Sequence, residues 1–104
     1  MDERLKQIAD HYGTRLQLEQ LIEESAELIV AIRKFICKPS IATISDVAEE
    51  IADVEIMIEQ IKYLAGIRYN VEQYYKPAKI ERTLKRIKRE AEKNEKEEPE
   101  IQSI

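Results

Sequence analysis

The stretches LIEESAELIVAI (residues 21–32) and DVAEEIADVEIMIEQI (residues 46–61) decide how this chain folds. Each spaces Leu, Ile, Val and Ala at helical intervals, and each sets two acidic residues three apart, Glu24 with Glu27 and Glu50 with Asp53. On a wheel of about 100° per residue with Glu50 at the origin, Ile61 falls at about 20°, Val54 at about 40° and Met57 at about 340°. Glu50 therefore lies inside the apolar arc, and Asp53 lies at its edge. With Glu24 at the origin, Phe35 falls at about 20°, Leu28 at about 40° and Ala31 at about 340°. Glu24 is again within the apolar sector, with Glu27 at its border. An unpaired carboxylate in a core costs several kcal/mol or takes up a proton, so something must compensate it. The candidates are a Lys or Arg from another helix and a bound cation.

KPS at 38–40 separates the two stretches, and so short a break makes the helices antiparallel neighbours. The first acidic pair is centred between residues 25 and 26, and the second between 51 and 52. A hairpin folded midway turns inside the break, which brings the four carboxylates to one level. Four acids at one height repel unless divalent cations neutralise them. All-oxygen carboxylate ligands suit Mg²⁺ or Mn²⁺. No His lies near them in sequence, which argues against zinc and against di-iron sites built on Glu-x-x-His. A pair of solvated acidic helix faces is the plain alternative.

EESAE at 23–27 and EEIAD at 49–53 resemble the paired Glu-x-x-Glu and Glu-x-x-Asp motifs of MazG-like nucleotide pyrophosphohydrolases, within the all-α NTP pyrophosphatase superfamily. The resemblance covers roughly residues 14–66. It implies a helical bundle that binds Mg²⁺ and converts a nucleoside triphosphate to a monophosphate and pyrophosphate. Carried over by position, it implies that Glu24, Glu27, Glu50 and Asp53 are the metal ligands and catalytic carboxylates. Glu23 and Glu49 point further from the apolar arcs and are read as exposed. A homodimer or homotetramer also fits the family. Family members follow the acidic hairpin with residues that hold phosphates. Here KPAKIERTLKRIKRE (76–90) has seven basic residues against two acidic. Lys79 and Arg82 are its candidate phosphate ligands, because Lys and Arg grip phosphate oxygens well. His11, Tyr12, Tyr63 and Tyr69 are possible base stackers.

The rest of the chain predicts helices joined by short breaks. Residues 3–12 read as a short helix ended by Gly13. Thr14 and Gln17 form a capping-box pattern for a second helix that runs to about Cys37. Thr43 or Ser45 caps a third, which ends near Gly66. Asn70 can cap a turn, NVEQYY. Pro77 suits the first position of a fourth helix, 77 to about 94, which is expected to pack across the hairpin. Ile80, Leu84, Ile87 and Ala91 repeat along it at near-heptad spacing. The expected fold class is thus an all-α bundle built on an antiparallel hairpin of two long helices. One helical domain spans 1–94, with a charged, loosely held tail at 95–104.

Bulk properties bound the function. The 104 residues suit one domain with a modest core. With 37% charged residues, no Trp, two Gly and three Pro, the composition favours helices over a sheet. The net charge of −4 gives no reason to expect nucleic-acid binding. No apolar run approaches the roughly 18 residues of a membrane span. The single cysteine, Cys37, excludes a disulfide within the chain and fits a cytoplasmic setting. A non-catalytic helical interaction module is the rival to the enzyme, with the near-heptad stripe of the fourth helix as its contact surface.

Overall fold

A computed structural model of the chain describes the backbone of residues 1–102 and the side chains of residues 1–96. All its elements are helical, with no strand among the described residues. The chain divides into two compact units, Met1–Ile67 and Arg68–Ile104. The first holds α1 (Glu3–Cys37) and α2 (Ile41–Leu64). The second holds a π-helical segment, Asn70–Tyr75, that leads into α3 (Lys76–Gln102).

α1 is two helices joined at Gly13, whose φ of 84° and ψ of 172° lie outside helical space. Only glycine occupies that region readily. The break is where the sequence predicts it, but the expected Thr14–Gln17 capping box is replaced. Gln17 turns inward, and its Nε2 donates to Oε1 of Gln60 on α2 at 2.7 Å. Gln60 is 1% exposed, and its Nε2 also donates to the Ile56 carbonyl. Two buried amides answering each other cost less than either alone.

The connection at 38–40 returns the chain as an antiparallel hairpin. Its cap is Ser40, not Thr43 or Ser45: Thr43 N donates to Ser40 Oγ at 3.0 Å, and Ser40 N to Thr43 Oγ1 at 2.9 Å. Thr43 thus plays the reciprocal part that Glu usually takes in such a box. It also donates to the Lys38 carbonyl, which ties the turn together. α2 stops at Gly66, with φ 65°. Gly66 N donates to the Tyr63 carbonyl and Ile67 N to the Lys62 carbonyl, the paired bonds of a Schellman end.

The core between the helices is thin. Ala9, Ala31, Val47, Met57 and Ile61 are its buried apolar residues. Lys62 is buried as well, its ammonium 2.6 Å from Glu59. Many large apolar residues of α1 stay on the surface, with Ile22 71% and Ile29 63% exposed.

In the second unit, Asn70 makes no capping hydrogen bond and NVEQYY is not a separate turn. It forms wide helical turns in which Lys76 N donates to the Val71 carbonyl, five residues back. Pro77 follows. A proline inside a helix has no N–H to give and its ring crowds the carbonyl four residues earlier, so widening the preceding turn relieves both problems. Pro77 is therefore the second residue of α3 within a helix already running, not its first. Beyond residue 94, where the sequence predicts a tail, the helix continues to Gln102. Residues 103 and 104 of that predicted tail lie outside the described residues.

Candidate metal centre

The hairpin brings Glu24 and Glu27 of α1 beside Glu50 of α2. One carboxylate oxygen from each lies within 4.8 Å of the others. Glu24 and Glu50 are half-buried, and Glu27 is exposed. Two oxygens ligating one Mg²⁺ sit about 3 Å apart when adjacent and about 4.2 Å apart when opposite, so the trio would draw in to share an ion.

The polar accounting of this cluster is incomplete. Gln20 Nε2 donates to Glu24 Oε1 at 2.8 Å and fixes that side chain along α1. The other oxygen, Glu24 Oε2, is buried and accepts no hydrogen bond, and so is Glu50 Oε2. Among the described residues, no Lys or Arg forms an ion pair with Glu24, Glu27 or Glu50. Of the two compensators that the sequence leaves open, a partner cation from the protein is not seen among the described residues. Buried acceptors normally find a partner, and these two have none.

The charges respond accordingly. The Glu27 carboxyl is held above the ordinary carboxylate range, first by the negative charge of Glu24, then by desolvation and by Glu50. Glu50 is also raised, first by desolvation and then by the charges of Asp53 and Glu24, while a hydrogen bond from Glu27 acts against the rise. Like charges at this spacing resist simultaneous ionisation. A divalent cation of hard character fits the donor set, which is all oxygen and rich in charge.

Asp53 is half-buried near Glu50 but stands outside the converging trio. Glu23 and Glu49 are exposed, as read from the wheel. A cleft of about 360 Å³ opens beside the cluster, lined by Glu27, Glu50, Glu49, Asp46, Ala31 and Lys34. Gln20, Asp46 and Lys34 are members of this neighbourhood that motif reading passed over. Their signal was helical spacing: Gln20 is four residues before Glu24, Asp46 four before Glu50, and Lys34 two turns after Glu27. Lys79 and Arg82, the predicted phosphate ligands, lie on α3 in the other unit, where both are exposed. Of the predicted stackers, Tyr63 donates its hydroxyl to Asp10 at 2.7 Å, and His11 and Tyr12 stack edge to face on each other. Tyr69 is exposed. No described helix is long and apolar enough to cross a membrane. In comparisons with known proteins, no family model, curated protein or solved structure matches the chain.

Proposed function

We infer that the chain is a nucleoside triphosphate pyrophosphohydrolase dependent on Mg²⁺ or Mn²⁺, releasing a nucleoside monophosphate and pyrophosphate. One observation carries the reading: three carboxylates from two helices converge within 4.8 Å, and two of their oxygens are buried without a partner. The reaction itself follows from the resemblance of EESAE and EEIAD to the MazG-like motifs. Glu24, Glu27 and Glu50 would hold the ion, and the hydrogen bond from Gln20 would keep the Glu24 side chain in place for it. When bound, the ion supplies charge neutralisation at the phosphates and acidifies a water. Asp53, adjacent but outside the trio, is the carboxylate left to take the proton from the attacking water. The water oxygen joins the α-phosphorus, and the bond from that phosphorus to the bridging oxygen breaks, so pyrophosphate leaves. Lys34, which lines the cleft itself, would steady the departing phosphates.

The test is pyrophosphate release from a panel of nucleoside triphosphates, with Mg²⁺ or Mn²⁺ and with chelator. The reading predicts metal-dependent release, lost in Glu50→Gln and weakened through a higher KM in Lys34→Ala. No release from any nucleotide by a folded chain would reject it. A second reading, a non-catalytic helical module, is favoured by the exposed apolar residues of α1. For such a module Glu50→Leu should raise thermal stability by removing a partly buried charge, and added Mg²⁺ should change nothing.

A further inference from the structure

α3 carries an apolar stripe on its surface: Ile80 is 60% exposed, and Leu84 and Ile87 are 55% exposed. With Ala91 these residues repeat at alternating intervals of four and three, the d, a, d, a positions of a coiled-coil seam. A long amphipathic helix draws most of its stability from burying such a stripe. The flanking charges identify what buries it. At the e positions stand Glu81, Lys88 and Glu95, and at the g positions Lys76, Thr83 and Glu90. Two copies in parallel would set Lys76 against Glu81 but also Glu90 against Glu95, each twice, so attraction and repulsion cancel. Two copies in antiparallel register, with Leu84 facing Ile87 and Ile80 facing Ala91, set Glu81 against Lys88 twice and Thr83 against Glu90. No like charges then meet across these flanks. The same register puts a large Ile opposite a small Ala, which suits close packing.

We propose that α3 is a self-association helix, which pairs antiparallel with α3 of a second copy through Ile80, Leu84, Ile87 and Ala91 and selects that register by Glu81 and Lys88. The inference stands apart from the catalytic reading, since an inactive chain would pair in the same way.

Charge reversal in the full-length chain tests it, read as the dissociation constant from sedimentation over a range of concentrations. Glu81→Lys and Lys88→Glu, each alone, place like charges together twice per pair and should weaken association about tenfold. The combined reversal should restore it to within about twofold, with helicity by circular dichroism unchanged throughout. A second measurement reads orientation. In a Cys37→Ser background, chains carrying Leu84→Cys are mixed with chains carrying Ile87→Cys and oxidised. The antiparallel pair gives the mixed disulfide. Disulfides joining 84 to 84 and 87 to 87 would mean a parallel pair and overturn the proposal. So would association indifferent to all three reversals, which would place the contact on the hairpin. A monomer that instead co-sediments with anionic phosphatidylglycerol vesicles would assign the stripe to lipid and likewise overturn it.

Discussion

At the scale of single residues, the account turns on carboxylates that are costly to ionise together. The wheel placed Glu24 and Glu50 on apolar faces correctly, because the burial of Ala31, Met57 and Ile61 follows the same 3.6-residue period. It could not show which oxygens would go unpartnered, since that depends on where the partner helix stands. The raised affinities of Glu27 and Glu50 for protons have a sign that can be tested. Their unfolded value lies near 4.5 and the folded values lie above it. The penalty is absent below the unfolded value, grows as pH rises through the folded ones, and is complete above them. In chelator the chain should therefore melt at a higher temperature at pH 5 than at pH 7. Asp2 acts oppositely: the hydrogen bonds from Arg4 lower it from 3.8 to about 2, so its small contribution is lost as pH falls between those values. Mg²⁺ should reverse the trend for the cluster, with a larger rise in melting temperature at pH 7 than at pH 5. Equal shifts at both pH values would count against a carboxylate site. Gln17 shows what local reading misses. Its position suited a helix cap, but it also lay on the buried face, and its partner Gln60 is 43 residues away. Gln17→Leu should cost about 1–3 kcal/mol in urea unfolding, because it leaves the Gln60 amide short of a partner in a dry site. Changing both residues to Leu should cost less than the sum of the two single changes.

Among the elements, the breaks were more legible than the caps. Gly13 and Gly66 stand where the helices stop, and both have positive φ. Beyond its own stretch of backbone, no atom lies within 4 Å of the point where a Cβ at Gly13 would sit, so its cost would be one of backbone alone. Gly13→Ala should destabilise the chain by about 1–3 kcal/mol in thermal or urea unfolding, without a change in helical signal below the transition. A neutral result would mean that the break relaxes freely. The Ser40 cap went unread because its N3 partner is Thr rather than Glu or Gln; Ser40→Ala should cost about 1 kcal/mol. Pro77 was read as a helix start because proline is at home there. The wide turns over Asn70–Tyr75 let the helix run through it instead, and neither apolar period nor capping residues mark such a segment. The end of α3 was placed too early because residues after Ala91 lose the apolar period while keeping Glu, Lys and Gln, which are good helix formers.

For the molecule as a whole, the all-helical class was legible from composition and period alone, and the hairpin from the short break between its two acidic segments. The proposed function rests on that hairpin, because the antiparallel return of α2 brings Glu50 to Glu24 and Glu27. Its thin core, beside exposed residues such as Ile22 and Ile29, also points to burial by another chain. Light scattering should give a mass that rises with concentration, and a strict monomer at high concentration would contradict this. The most direct measurement is a Mn²⁺ titration of the full-length chain followed by electron paramagnetic resonance, with Glu27→Gln and Glu50→Gln beside the wild type. The account predicts saturable Mn²⁺ binding that Mg²⁺ displaces and that each variant weakens at least about tenfold, since each removes a charged ligand. Mn²⁺ that stays free in solution with the wild type, or binds all three proteins alike, would contradict it.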